Sequence, residues 1–388
     1  MARWVGMEIS LGISEAVKAC DADIVAAYPI TPQTHIVEHL SELVAEGELD
    51  AEFIPVESEH SAMSVCIGTA AVGARTYTAT SAQGLALMHE MLFLASAMRM
   101  PIVMTVVNRA LSGPISIWND HSDIMAERDT GWIQTFAENG QEAFDLTVHA
   151  FRVAEDPEVA LPVMVNIDGF VLSHVIEAFE ILEREEVSRY LPSFKPRIRL
   201  DTKNPITMGP VGIPDIYTEA KAQQEYDLQQ SKRIIEKAWK EFGDLFGRYY
   251  HPVELYRTED ADVVMLIMGS LCSTAQVAVD EMRAQGIKAG LAKLRLWRPF
   301  PLHEIQEAFG GLGKLIIVDR CLSFGGKGGP VASEIKSALY SQPDSPAVVE
   351  YIAGLGGRDV RVEDFQGMIK RAMEDESATQ SYQIVGVR

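Results

Sequence analysis

Short apolar runs alternate along the chain with longer segments whose apolar residues recur every three to four positions. Asp23–Tyr28 (DIVAAY) reads as a buried strand, and Gln33–Ala45 follows with Ile36, Leu40 and Leu43 at helical spacing. Glu52–Val56 is a short strand, and Ser58–Val72 a helix rich in Ala, Ser and Met. Arg75–Thr80 (RTYTAT) is β-rich, Leu85–Met98 is helical, and Ile102–Val107 (IVMTVV) and Pro162–Ile167 (PVMVNI) are further strands. Apolar strands separated by helices predict a parallel sheet covered on both faces.

The middle breaks this rhythm. Glu177–Glu186 carries five Glu, and Pro192, Pro196, Pro205, Pro210 and Pro214 follow closely, a density that suits an extended crossing segment. Ile216–Phe246 then reads as a long charged helix, so 178–255 is expected to be a connector. From Asp262 the alternation resumes. Strands are expected at 263–270, 289–296, 315–319 and 348–352, and helices at 273–284, 302–309, 331–339 and 362–373. Residues 256–388 therefore form a second, smaller α/β domain.

With 388 residues, about two or three domains are expected, with ample core. Apolar residues at 47% and charged residues at 23% exclude disordered and fibrous classes. The net charge of −21 argues against nucleic acid and anionic membrane as partners. Cys20, Cys66, Cys272 and Cys321 are scattered, without CxxC, so they form neither a disulfide framework nor a ferredoxin-type cluster site. Those thiols fit a reducing cytoplasm. The N-terminal MARWVGMEISLG lacks the apolar core of a signal peptide, and Val263–Met268 is too short to span a bilayer.

Ligands of open α/β sheets bind beyond the carboxyl ends of strands. The first strand is followed there by PITPQT, with Pro29, Thr31, Pro32 and Thr34, and the second by ESEHSA, with Glu57, Glu59 and His60. The third is followed by SAQGL, with Gly84, and the fourth by Asn108-Arg109. Glu59 is either a carboxylate satisfying a helix start or a buried acid that shares a proton with a ligand. Arg109 is either a structural ion-pair partner or a bidentate clamp for an anion. Thr31 alone would be a weak signal.

Two other motifs compete. His35-Ile36-Val37-Glu38-His39 matches the H-x-x-E-H zinc-peptidase signature, though helix-face histidines also give it. The turn FGGKGGP (324–330) precedes a helix and could approach an anion, or it could serve close packing alone. Asp120 and His121 lie in a probable loop and carry little signal for direct chemistry.

AAYPITPQT (26–34), VESEHSA (56–62), TATSAQGLALMHE (78–90) and NRALSGPISIWNDHSD (108–123) are similar to the α subunit of multi-subunit 2-oxoacid:ferredoxin oxidoreductases. The likeness is to the pyruvate:ferredoxin type. It continues through ERDTGWIQ (127–134), DGFVLSH (168–174), GPVGIPD (209–215), MGSLCSTA (268–275), RLWRPFP (295–301) and IAGLGGRD (352–359), in collinear order over nearly the whole chain. The resemblance implies a thiamine diphosphate (TPP)-binding fold: a pyrimidine-binding domain over 1–177, and a transketolase C-terminal-like domain over 256–388. It makes Glu59 the catalytic acid at N1′ of the aminopyrimidine, places Pro29 beside that ring, and gives Thr31 and Arg109 the 2-oxoacid.

A GDG segment, which would hold the diphosphate through Mg²⁺, is not found. The resemblance therefore assigns the diphosphate half, Mg²⁺ and the [4Fe-4S] clusters to partner subunits. These are a β subunit and γ- and δ-type subunits, with CoA as co-substrate and ferredoxin or another acceptor taking the electrons. Pyruvate is the expected 2-oxoacid. An aryl or larger acid such as phenylglyoxylate, the β component of a lipoamide-linked dehydrogenase, and a zinc peptidase on His35, Glu38 and His39 are the alternatives.

Overall fold

The apolar runs become the interior strands of two largely parallel sheets, because a strand covered on both faces has no polar side to alternate. The computed structural model describes residues 3–374 and 381–388, so 375–380 of the expected second domain lie outside the described residues. The first half runs β1 (Arg3–Glu8), α1 (Ile9–Ala19), β2 (Ile24–Ala27), α2 (Thr34–Ala45), β3 (Glu52–Pro55), α3 (Glu59–Val72), β4 (Thr76–Thr80), α4 (Ala82–Ala97), β5 (Ile102–Asn108), α5 (Ser122–Ala126), β6 (Ile133–Phe136), α6 (Gly140–Ala154) and β7 (Val163–Asp168). Then come β8 (Ile176–Ile181), α7 (Arg184–Tyr190) and the long α8 (Pro214–Phe246). The second half is β9 (Val253–Tyr256), β10 (Val263–Ile267), α9 (Leu271–Ala284), β11 (Ala289–Leu294), β12 (Leu296–Arg298), α10 (Leu302–Phe309), β13 (Lys314–Asp319), α11 (Pro330–Leu339), β14 (Ala347–Ile352), α12 (Val362–Glu374) and β15 (Gln383–Ile384).

The first sheet has the order β12-β6-β7-β5-β4-β2-β3. Every pair in it is parallel except β12 with β6. All residues of β4, β5 and β7 are buried. One core cluster lies under α1, α2, α6 and α8, and includes Ile13, Leu40, Phe151 and Trp239. A second joins Met63 of α3 and Leu85 and Met88 of α4 to Val264, Leu266, Leu315 and Ile317 of the other sheet, so the two halves share a core. That other sheet runs β15-β14-β13-β10-β11-β9, with only β9 antiparallel.

Three segments depart from the expectation. β1 and α1 were not anticipated, and β1 pairs antiparallel with β8 in a separate two-stranded sheet. Residues 178–190, expected to begin the connector, instead form most of β8 and all of α7, the latter packed on α1. The proline-rich stretch 191–213 does lack helix and strand. The run 289–296 breaks after Leu294, and β12 leaves the second sheet to extend the first along β6. In α8 the first turns are exposed, Ile216 and Tyr217 included, whereas Ile235, Trp239 and Phe242 bury the last turns. There Phe242 lies 4.4 Å, centroid to centroid, from His149 of α6.

Candidate active site

The carboxyl ends of β2, β3, β4, β5 and β7 face one edge of the first sheet, and the loops leaving them build the site. Ser58 caps α3: its backbone is extended and its hydroxyl accepts a hydrogen bond from Ser61 N at 3.2 Å. The cap makes Glu59 the first helical residue, with its carboxylate at the positive end of the helix. Glu59 is only 6% exposed, yet it makes no hydrogen bond or ion pair with a described side chain. Its neighbours are Thr80 and Gly84. A Cβ on Gly84 would stand 2.6 Å from Glu59 Oε1 and 2.6 Å from Thr80 Oγ1. Thr80 Oγ1 is itself buried without a partner. Burying a hydroxyl unpaired costs free energy, and the carboxylate beside it, on a residue otherwise nearly buried, opens only to the cleft, so this cleft is built around something polar.

The loop after β2 supplies the second group. Gln33 is fully buried and closes this loop by donating through Nε2 to Tyr28 O at 2.9 Å. Pro32 is buried against Gly169, whose missing side chain lets the β7 end approach Asn108 O. Pro29 and Thr31 are exposed. Arg109 follows β5 and is 7% exposed. Its Nη1 donates to Thr31 O at 2.9 Å and its Nε to Ser116 O at 2.8 Å. Its Nη2 has no partner among the described residues. Burial pulls the guanidinium below arginine's usual range, against the opposing pull of Asp123. The sequence-predicted Thr31 and Arg109 are thus joined directly.

Glu59 and Arg109 are linked through Asp123, a residue the sequence reading passed over. Its Oδ2 accepts from Ala82 N (3.1 Å) and Arg109 N (2.9 Å), and its Oδ1 from Ile124 N (2.7 Å) and Asn108 Nδ2 (3.1 Å). It therefore pins the β4–α4 turn beneath Gly84 to the end of β5. Burial pushes its carboxyl up to about 7 against the pull of those donors.

A second unanticipated carboxylate, Asp168, ties the halves together. It meets His121 Nε2 at 2.8 Å, Arg320 Nη1 at 2.6 Å, Ser270 N at 2.8 Å and the Ser270 hydroxyl. Although burial opposes it, the charges of Arg320 and His121 hold this carboxyl well below the ordinary range. The neighbouring Asp120 accepts from Ser122 N (2.9 Å) and Gly356 N (3.1 Å), so Asp120 and His121 fasten the 109–121 loop to the second half.

The other candidate motifs resolve differently. His35 faces Glu8 (2.6 Å), His39 faces Glu15 (3.3 Å) and Glu42 (3.4 Å), and Glu38 is exposed, so each histidine has its own carboxylate. The helix start behind FGGKGGP is already occupied, since Asp319 accepts from Val331 N (2.9 Å) and Ala332 N (3.0 Å). A cavity of about 1040 Å³ under the proline-rich stretch, lined by Met98, Arg99, Pro101, Pro196 and Arg199, opens at the opposite ends of the strands. Among the described residues no helix is long and apolar enough to cross a membrane.

An unpartnered carboxylate stands at the edge of this cleft, and a glycine leaves open the space a side chain would fill. Two α/β halves sharing a core, the first of them matching a thiamine diphosphate-binding family model, place the chain among thiamine diphosphate-binding proteins. The chain belongs to the pyruvate:ferredoxin oxidoreductase family. Residues 15–240 match the family model described as pyruvate flavodoxin/ferredoxin oxidoreductase, thiamine diphosphate-binding, and residues 261–365 match pyruvate:ferredoxin oxidoreductase core domain II. Pyruvate synthase subunit PorA of Methanocaldococcus jannaschii is 48% identical, over 94% of both chains. Ketoisovalerate oxidoreductase subunit VorA of Pyrococcus horikoshii is 47% identical, over 89% of this chain and 87% of that one. The fold is that of a 2-oxoglutarate:ferredoxin oxidoreductase from Magnetococcus marinus, at TM-score 0.72 and 18% identity, covering 96% of this chain and 65% of the other.

Proposed function

We propose that this chain supplies the aminopyrimidine side of the thiamine diphosphate site in a multi-subunit, cytoplasmic 2-oxoacid:ferredoxin oxidoreductase acting on pyruvate. The reaction is 2-oxoacid + CoA + two oxidised ferredoxins → acyl-CoA + CO₂ + two reduced ferredoxins + H⁺. The observation that carries this reading is the unpartnered carboxylate of the largely buried Glu59, which opens to the cleft against Gly84. The bound cofactor supplies the nucleophilic carbon and the electron sink for loss of CO₂.

Glu59 hydrogen-bonds the ring nitrogen N1′ and shares its proton, which a neutral cleft wall could not do. Pro29 would lie beside that ring when it is bound. The free Nη2 of Arg109 takes the substrate carboxylate, while Nη1 and Nε stay anchored on Thr31 O and Ser116 O, so the guanidinium arrives oriented. The Thr31 hydroxyl donates to the carboxylate or carbonyl oxygen of the same substrate. The segment around Ser116 covers Arg109, and its residues set how large a 2-oxoacid side chain fits.

A β subunit completes the diphosphate half with Mg²⁺, and iron–sulfur clusters in β-, γ- or δ-type partners carry electrons away. The four cysteines of this chain are buried, dispersed and free, in keeping with that division. The test is Glu59→Gln in the assembled complex. CoA-dependent viologen reduction with pyruvate falls by about 10²–10⁴-fold, while the cofactor content of the complex is retained. Activity within tenfold of wild type would overturn the role. CO₂ release compared across pyruvate, 2-oxoisovalerate, 2-oxoglutarate and phenylglyoxylate decides the substrate.

A further inference from the structure

Away from the cleft, three metal-ligating side chains converge from segments remote in sequence. Glu8 ends β1, His35 lies in the first turn of α2, and His174 sits in the turn between β7 and β8. One carboxylate oxygen and one nitrogen from each ring all lie within 4.8 Å of one another. Glu8 Oε1 is 2.6 Å from His35 Nδ1, a short hydrogen bond. A tetrahedral shell with bonds of about 2.0 Å has edges of about 3.3 Å, so an ion entering here would take that proton's place and part the two atoms by roughly 0.7 Å. The two imidazoles are 4.5 Å apart between centroids, tilted by 36°. Ser173 Oγ lies 2.8 Å from His174 Nδ1 and already accepts from Phe170 N at 2.9 Å. A proton on His174 Nδ1 directed at that oxygen leaves Nε2 as the nitrogen with a free lone pair, which is how outer hydrogen bonds commonly fix a ligating tautomer. The group is half-buried, and the His35 side chain is 41% exposed, so water can reach a fourth position.

We propose that Glu8, His35 and His174 bind a divalent transition-metal ion, zinc by ligand type, with solvent completing a tetrahedral shell. Two imidazoles and one carboxylate are a donor set zinc accepts, and the open fourth position is compatible with it. The ion is a brace: it would clasp the end of β1, the start of α2 and the 169–175 turn at one point. α2 begins three residues after Thr31, and the ring of Phe170 in the same turn lies against Trp118 of the loop that covers Arg109, with centroids 4.7 Å apart and planes tilted by 45°. The clasp therefore fixes both segments that hold Arg109. It shares His35 with the H-x-x-E-H pattern but excludes His39, which lies against Glu15 and Glu42.

The test uses the full chain, stripped with EDTA and titrated with Zn²⁺ in competition with a chromogenic chelator. His174→Gln, Glu8→Gln and His39→Gln are compared with wild type, and circular dichroism of each metal-free variant confirms the fold. One Zn²⁺ binds per chain and raises the melting temperature. Affinity drops at least about tenfold in H174Q and E8Q, and is unchanged in H39Q. Two ligand variants keep the result readable if one fails to fold. Absence of stoichiometric Zn²⁺ in wild type overturns the proposal and leaves Glu8, His35 and His174 as an ion pair with a stacked ring. Binding indifferent to H174Q and E8Q, or lost in H39Q, overturns it equally.

Discussion

Gly84→Ala separates the site's chemistry from its stability. Gly84 is the third residue of α4, so alanine there gains about 0.5–1 kcal/mol of helix propensity. Against this, the new methyl would stand 2.6 Å from Glu59 Oε1 and 2.8 Å from Glu59 Cγ. An ordinary contact needs about 3.5 Å, so the carboxylate must retreat by roughly 0.9 Å. Crowding of this kind costs about 1–3 kcal/mol, shared between the movable carboxylate and the Thr80 hydroxyl, which would stand as close at 2.6 Å and is held by its buried strand. The net effect on folding lies between neutral and about 2 kcal/mol, a melting shift of no more than a few degrees for a chain this long. A displacement near 1 Å at a reacting group, by contrast, costs about 10²-fold in rate. The assay is turnover of the assembled complex with saturating cofactor, beside a thermal melt of the same preparation. A G84A complex within threefold of wild-type kcat would refute the argument that Glu59 must stand where Gly84 lets it.

Arg109→Lys retains the charge but cannot hold Thr31 O and Ser116 O while offering a third donor. It should raise KM for the 2-oxoacid about 10–100-fold, measured by initial rates, with little change in melting temperature. Asp168→Asn leaves the buried Arg320 without its counter-charge and should cost about 3–5 kcal/mol at pH 7 by urea unfolding. The Asp168 carboxyl is depressed in the folded chain, so its contribution is present above the unfolded value near 3.9 and is lost as pH falls below it. The gap between wild type and D168N should therefore narrow progressively below about pH 4, and a gap that widened there would contradict the pairing.

The interior strands were legible because their burial on both faces removes polar positions, and Arg109 was legible because it directly follows one of them. Glu59 and Thr31 stand further along the loops after the edge strand β3 and after β2, so residue type and the family resemblance, more than position, singled them out. β1 was not: most of its residues are exposed or half-exposed, so it carries no apolar run, and its partner β8 lies some 170 residues away. The break after Leu294 was invisible for a different reason. Leu296 and Trp297 are as buried as the strand before them, and only the neighbour to which they hydrogen-bond has changed. Asp123 and Asp168 stood inside quoted motifs, but their work is done on backbone amides and on side chains as far as 152 positions away. Spacing along a chain does not encode such contacts. The Glu8, His35 and His174 group has the same character, drawing on three elements none of which looks like a metal motif alone.

β12 has a consequence for how this polypeptide can be divided. Its three residues cover the β6 flank of the seven-stranded sheet, although they are synthesised after half the strands of the other sheet. A polypeptide stopped near residue 250 would present the bare amides and carbonyls of Ile133–Phe136 to any passing strand, the situation in which sheets recruit the wrong neighbour. A split or fused version of this protein must therefore keep residues 296–298 within reach of the first sheet, and a ribosome must deliver them before that edge is safe.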